Sequence, residues 1–313
     1  MPVAAAAAAL ALALAVPGVL GSVLLAARPT EPWEPPAGAA RDALVARYVH
    51  EDGEPGFFRC AAGAYLVKTD VDRAFALDVA CYLERFRSQL RAIFREYVPE
   101  RRPPLVVVYR DRERYRRVVG GGESRGFYSP KTRTLSTYLD VEKGERDFAT
   151  FYARILLHEG THQLVTALIG PAPPWFDEGV ASYFQEWDVR RTVDDNLDRL
   201  KDTHYRFQDV RDAFGTERWV PLARLLALDR AAFAPDDFGP ATNLHYAEAA
   251  SFVSFLLATD ERRKMFRRIY VSLRRQEGKE GLDRVLHPAA VGRLDEAWRE
   301  HVAARVAAAA ARD

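Results

Sequence analysis

The segment RILLHEGTHQLV, residues 154–165, constrains the fold more than any other feature of this sequence. Its Ile, Leu and Val residues have the spacing of a buried helix, yet its centre carries two histidines, a glutamate and a glycine. His158 and His162 are four residues apart, so a helix places both imidazoles on one face, about one turn from each other. Because glycine costs a helix interior about 1 kcal/mol relative to alanine, Gly160 indicates that a second element or a substrate approaches the backbone closely.

Two imidazoles on one helix face can share a metal ion, and neutral imidazole is a good ligand for Zn²⁺. Glu159 lies beside that face. A carboxylate in this position can take a proton from water that a metal has acidified, which makes Glu159 a candidate general base. The alternative is a core helix that holds a few hydrogen-bonded polar groups. An apolar helix buries isolated charged groups only at a high cost, so the metal site is favoured.

Catalytic zinc sites use three protein ligands and one water, so the histidine pair needs a third ligand. The stretch PPWFDEGVASYF, residues 173–184, begins with a Pro-Pro pair that starts a helix, and Glu178 falls in its first turn. An acidic residue there could simply complement the positive end of the helix. Because Glu178 follows His162 by only 16 residues, we predict that it is the third ligand. Asp177 is the expected hydrogen-bond partner of a ligating histidine.

HEGTH followed by WFDEGVASYF resembles the gluzincin branch of zinc metallopeptidases, whose pattern is HExxH, a short connection and W-[FL]-x-E-G-x-A. The closer resemblance is to the peptidase-MA-like proteins grouped as "domain of unknown function 1570", and it covers roughly residues 60–275. This resemblance implies a zincin-like fold and Zn²⁺ held by His158, His162 and Glu178. It also implies that Glu159 is the general base and that the substrate is a peptide or protein.

The resemblance further implies a Tyr or His on a later helix that stabilises the oxyanion formed when water attacks a carbonyl. The stretch LHYAEAASFVSFL, residues 244–256, offers Tyr246 first and His245 second, and Tyr183 is a weaker alternative. Gluzincins commonly pair extended substrate with the strand edge before the metal helix, and by analogy this edge is Thr134–Tyr138. The sequence lacks the Gly-x-Met-Glu-Asn segment with which the aminopeptidases hold a free amine, which disfavours that activity.

The remaining patterns predict one α+β domain. Residues 64–70, 103–109 and two segments within 126–140 read as strands, and apolar residues spaced by three and four predict a helix from Asp72 to Tyr97. After residue 145 the patterns are helical almost throughout. Strands followed by helices indicate a small N-terminal mixed or antiparallel sheet with helices, then a mainly helical half that carries the HExxH helix.

The N-terminal part of the chain differs in kind from the rest. Residues 1–27 contain no charged side chain, and about 20 apolar residues suffice to cross a bilayer, so this segment is predicted to be a signal peptide or a membrane anchor. Residues 28–55 are rich in Pro and Ala and are predicted to be a linker to a metallopeptidase domain at 56–313. The protein is therefore expected outside the cytoplasm, either secreted or periplasmic or attached to a membrane. Cys60 and Cys81 could pair or remain as thiols.

Composition excludes other classes of protein. The 45 basic and 44 acidic side chains nearly cancel, so no overall field attracts nucleic acid, and no nucleic-acid-binding motif is present. The alternative function is a non-catalytic protein of the same fold that binds peptide or cell-wall material and holds a structural zinc. Glu159 favours the enzyme, because a scaffold needs no general base. The sequence does not indicate the oligomeric state.

Overall fold

The computed structural model describes residues 49–51, 56–62, 64–94, 104–120, 124–140, 151–200, 206–235, 239–275 and 278–311. The predicted signal peptide or anchor at 1–27, and the predicted linker as far as residue 48, lie outside these ranges. Among the described residues, no helix is both long enough and apolar enough to span a bilayer.

The strands form one mixed sheet, in agreement with the predicted α+β class. They are β1 (Val49–Glu51), β2 (Phe58–Ala62), β3 (Tyr65–Thr69), β4 (Leu105–Tyr109), β5 (Gly126–Ser129) and β6 (Thr134–Tyr138). The spatial order is β1-β2-β3-β4-β6-β5. The β3–β4 and β4–β6 pairs are parallel, and the other three pairs are antiparallel. Strand β1 occupies part of the predicted linker, because Val49 to Glu51 pair with β2; the sheet therefore begins before residue 56.

The prediction that Thr134–Tyr138 forms the free edge of the sheet is wrong. This segment is β6, and it pairs with β4 on one side and β5 on the other. The edge strand is β5, because it pairs only with β6 and stands last in the strand order. Any substrate that approaches this end of the sheet therefore meets Gly126–Ser129.

Twelve helices are found in the described residues. They are α1 (Arg73–Phe94), α2 (Arg112–Val119), α3 (Phe151–Ile169), α4 (Pro174–Phe184), α5 (Val193–Leu200), α6 (Phe207–Ala213), α7 (Leu222–Ala227), α8 (Arg230–Phe233), α9 (Pro240–Leu257), α10 (Asp260–Arg274), α11 (Gly278–Val285) and α12 (Pro288–Ala310). Asp72 caps helix α1, since its carboxylate accepts a hydrogen bond from Phe75 N at 2.8 Å. Proline occupies the first turn of α4, α9 and α12, where its missing N–H costs nothing.

Helices α1 and α3 pack on the sheet, α1 against β2 and β3 and α3 against β5 and β6. Gly160 lies where α3 meets α1, and a Cβ there would be 3.3 Å from Leu83 Cδ2. The mid-helix glycine is thus explained by the close approach of a second element. Cys60 and Cys81 are free thiols, and burial raises the pKa of Cys60 to about 12, so this thiol stays protonated at neutral pH.

Candidate metal centre

Two consecutive helices bring His158, His162 and Glu178 together. Both histidines project from α3, and α4 starts after a short connection and carries Glu178. The two Nε2 atoms are 3.1 Å apart, and Glu178 Oε2 is 3.5 Å from His158 Nε2 and 3.3 Å from His162 Nε2. These three residues form a group that could hold a metal ion.

The spacing of the three atoms fits a small tetrahedral ion. Ligand bonds of 2.0–2.1 Å give a tetrahedral edge of about 3.3 Å, which is the mean of the three separations observed. The same separations are longer than an ordinary N–H···O hydrogen bond of about 2.9 Å, and Glu178 Oε2 is buried without a hydrogen-bond partner among the described residues. Three electron-pair donors therefore face one point.

A second set of contacts orients these donors. The Nδ1 of His162 is 2.8 Å from Asp177 Oδ1, as predicted for Asp177, and donation through Nδ1 leaves the lone pair on Nε2 facing the site. Arg230, which begins α8, donates from Nη1 to Glu178 Oε1 at 2.5 Å and from Nη2 to Asp177 Oδ2 at 2.9 Å. The Arg230 guanidinium therefore binds both carboxylates at once. No local sequence pattern identifies Arg230 as part of the site.

The electrostatics of the group favour positive charge at its centre. Burial favours the neutral imidazole of His162, but the carboxylates of Glu178 and Asp177 outweigh burial and raise its pKa well above the ordinary value. Burial would raise the pKa of Glu178, yet the two histidines hold it well below its usual range. Either a proton or a metal cation can supply this positive charge, so the two are expected to compete for the site.

Glu159 faces the same cleft and packs against the edge strand β5. The backbone of Tyr128 lies near its carboxylate and favours the ionised form. Gly126 leaves the room that this packing needs, since a Cβ there would be 2.9 Å from Glu159 Cγ and 2.6 Å from Ile155 Cγ2. Burial raises the pKa of Glu159 above its ordinary value, which is the direction that suits a general base working near neutral pH.

Of the three candidate oxyanion donors, only Tyr246 lines the cleft. Burial and the nearby Glu178 carboxylate raise the pKa of Tyr246, so the hydroxyl keeps its proton. His245 lies elsewhere: its Nδ1 donates to the carbonyl of Phe233 at 2.8 Å within the core. Tyr183 is 1% exposed and packs edge-on against Phe184. The structure therefore does not place His245 or Tyr183 at the site.

The cleft above the metal group has a volume of about 640 Å³, which is in the range of ligand-binding pockets. Its lining includes β5 and the residues before it, and also Tyr246 and Arg230. The hydrogen-bonding groups of β5 are already partly used. Ser124 Oγ bonds both to the N–H and to the carbonyl of Gly126. A substrate strand that pairs with this edge would have to replace these bonds.

Comparison with known proteins adds no family assignment. No protein-family model matches the chain, and no curated protein is significantly similar to it. The function is therefore inferred from the chemistry of the donor group and the cleft above it.

Proposed function

We propose that this protein is a zinc-dependent peptidase, exported or held at a membrane through its N-terminal segment. The observation that supports this most directly is the placement of three donors, two imidazoles and one carboxylate, around one point, with the acidic side chain of Glu159 on the same cleft. Two nitrogen donors and one oxygen donor are the ligand set of many catalytic zinc sites.

When bound, Zn²⁺ supplies a Lewis acid that polarises a peptide carbonyl and acidifies water. Side chains of the protein then transfer the proton and stabilise the negative charge. Glu159 accepts the proton of the attacking water and passes it to the leaving amine. Tyr246, protonated and beside Glu178, is the donor best placed to stabilise negative charge on the former carbonyl oxygen.

The number of ligands separates this proposal from the non-catalytic alternative. Structural zinc sites are closed by four protein ligands, whereas catalytic sites keep one position open. Among the described residues the group has three members, and it opens to a cleft. A structural zinc site also needs no general base. Here Gly126 leaves room for the Glu159 side chain, and the backbone of Tyr128 favours its ionised form, so the edge strand is adapted to this carboxylate.

The decisive experiment compares the zinc-loaded parent with a Glu159→Gln variant, and the exposed Glu217→Gln is the matched control. Zinc content and hydrolysis of a peptide library are measured, with and without a chelator. Glu159→Gln should keep its zinc and lose roughly 10²- to 10⁴-fold in rate, the usual contribution of a general base, whereas Glu217→Gln should match the parent. If Glu159→Gln hydrolyses peptides as fast as the parent, the mechanism is wrong.

The ligand assignment is tested by metal binding alone. His162→Ala and Glu178→Ala each remove one of three ligands, so both variants should lose stoichiometric zinc at concentrations that saturate the parent. A Glu178→Ala variant that binds zinc as tightly as the parent would show that another group is the third ligand.

A further inference from the structure

The Tyr246 side chain needs support that its own helix does not provide. Tyr246 is half-buried and lines the cleft, whereas its neighbours on α9 are buried. A phenol can turn about its side-chain bonds, yet an oxyanion donor must end about 2.7–3.1 Å from an oxygen that becomes charged only in the transition state. Because a misplacement of about 1 Å can cost about 10²-fold in rate, the contacts that orient this ring bear directly on the reaction.

Two side chains from outside α9 contact the Tyr246 ring. The ring of Phe233, the last residue of α8, lies 5.4 Å from it between centroids. The guanidinium of Arg206, the residue before α6, lies 5.3 Å from its centroid. Both distances are in the range of favourable contacts with an aromatic ring. The ring is therefore held by two elements other than the helix that carries it.

Arg206 also binds α9 at a second point. Its Nη1 donates a hydrogen bond to Asn243 Oδ1 at 2.8 Å. Asn243 precedes Tyr246 by three residues, so the two side chains lie on one face of α9, about one turn apart. A planar guanidinium can lie over a ring and donate to a neighbouring amide at the same time. Arg206 therefore restrains the ring relative to the backbone of α9.

Resting on the proposed peptidase function, we propose that Arg206 is a positioning residue, which holds the Tyr246 hydroxyl where it stabilises the oxyanion. Arg206 also lines the cleft, so direct contact with the substrate is the competing role. The two roles make different demands on Tyr246. Positioning acts only through the hydroxyl, whereas a direct contact is independent of it, so a double-mutant cycle separates them.

The kinetic test measures kcat for a peptide that the parent hydrolyses, with zinc-loaded parent, Arg206→Gln, Tyr246→Phe and the double variant. Tyr246→Phe should lower kcat about 10²- to 10³-fold, as for the loss of one oxyanion donor. Arg206→Gln should lower kcat about tenfold at unchanged zinc content, because the hydroxyl is present but misplaced. In the Tyr246→Phe background the same substitution should change kcat by less than about twofold. An equal effect of Arg206→Gln in both backgrounds overturns the proposal.

A second measurement needs neither zinc nor turnover. Protein with ¹³C in the tyrosine rings shows signals from thirteen tyrosines, and those of Tyr246 are the ones missing from Tyr246→Phe. In the metal-free protein, Arg206→Gln should lower the ring order parameter of Tyr246 or broaden its signals, because the ring then samples several orientations. Arg224→Gln, at an exposed position of α7, is the control and should match the parent.

Asn243→Ala provides an independent route to the same result, since it removes the acceptor at 2.8 Å and leaves Arg206 and Tyr246 in place. It should change kcat and the mobility of the Tyr246 ring in the same direction as Arg206→Gln. A Tyr246 ring that is as ordered in Arg206→Gln as in the parent overturns the proposal. Failure of the proposed function has a different signature: the parent would hydrolyse no peptide, although Arg206 orders Tyr246.

Discussion

Arg230 determines which oxygen of Glu178 faces the two histidines. Its Nη1 binds Oε1 at 2.5 Å, and its Nη2 binds Asp177, so Oε2 turns towards the imidazoles. The positive charge of Arg230 would repel a dication, while its fork orients two carboxylates that attract one. Its side chain is 57% exposed, so solvent screens the repulsion, and orientation should dominate.

Arg230→Lys separates these two effects, because lysine keeps the charge but cannot hold two carboxylates in a planar fork. We expect zinc affinity to fall about tenfold, the lower end of the effect of losing an outer contact to a metal ligand. Competition with a chromogenic chelator measures this affinity. The exposed Arg224→Lys is the control and should bind zinc like the parent. Unchanged affinity in Arg230→Lys would show that Glu178 keeps its orientation without the fork.

The sequence predicted the donor residues because their spacing is local. Four residues of helix fix the relation of His158 to His162, and a short connection limits where Glu178 can lie. Arg230 reaches the site from 52 residues beyond Glu178, and nothing in the RAAF segment of α8 marks it. A contact that depends on how distant helices pack leaves no periodic signal in the sequence.

At the scale of secondary-structure elements, the position of Glu178 depends on how closely α4 and α9 cross. Gly179, the next residue, lies against the backbone of α9: a Cβ there would be 2.8 Å from the Ala249 carbonyl oxygen and 3.1 Å from Ala249 Cβ. Backbone atoms cannot turn aside as a flexible side chain can. The glycine therefore sets the distance between α4, which carries Glu178, and α9, which carries Tyr246.

Gly179→Ala should force the two helices apart. Overpacking costs typically 1–3 kcal/mol, which outweighs the gain of about 1 kcal/mol in helix propensity. The free energy of unfolding, measured with urea, should therefore fall, and zinc affinity should fall with it because Glu178 moves.

Gly292→Ala on α12 is the matched control, since nothing lies within 4 Å of a Cβ at that position. This variant should gain up to about 1 kcal/mol from helix propensity alone and keep its affinity for zinc. A Gly179→Ala variant that is as stable as Gly292→Ala would show that α4 and α9 can move apart without lowering the free energy of unfolding.

The burial of α9 also explains why the sequence ranked Tyr246 before His245 but could not exclude His245. Helix α9 is buried on almost every side, and its buried residues include neighbours such as Leu244 and His245 as well as an unbroken run from Ala247 to Leu257. A helix of this kind has no apolar stripe that contrasts with a polar face, so periodicity does not show which side faces the site. The packing of α9 turns Tyr246 to the cleft and His245 to Phe233.

At the scale of the whole molecule, strand order is a property of long-range pairing. Residues of β3 and β4 that pair in parallel lie far apart in the chain, as do Val106 and Leu135 of β4 and β6. Local sequence patterns identified four of the six strands found in the described residues, but they do not show which strand is outermost. For this reason the sequence predicted β6 as the edge, whereas the hairpin leaves β5 there.

Glu248 is expected to make the free energy of unfolding depend on pH. Its side chain lies on α9, wholly buried, and Oε1 accepts a hydrogen bond from Val220 N at 2.9 Å. Its Oε2 is buried without a hydrogen-bond partner among the described residues. Burial raises the pKa of Glu248 from 4.5 to about 8, so the folded protein keeps this carboxyl protonated at neutral pH, whereas the unfolded chain ionises it.

The direction of the pH effect follows from this difference. Between pH 4.5 and about 8 the folded state binds the proton and the unfolded state does not, so the contribution of Glu248 to the free energy of unfolding falls as pH rises through this window and is constant above it. Glu248→Gln keeps the shape and the acceptor for Val220 N but cannot ionise. Urea unfolding across this pH range should show the variant becoming more stable than the parent as pH increases.

Glu261→Gln serves as the control, because Glu261 is 81% exposed and pairs only with its helix neighbour Lys264 among the ion pairs of the described residues. Its stability should follow the parent at every pH. Parallel curves for Glu248→Gln and the parent would mean that Glu248 is ionised in the folded protein, and a charged carboxylate in the core would then need a partner that Val220 alone does not provide. A gap that opens with pH and closes at acid pH would instead identify a buried neutral acid. That acid lowers the free energy of unfolding in alkaline solution, whereas the metal donors, freed of protons, bind zinc most tightly there.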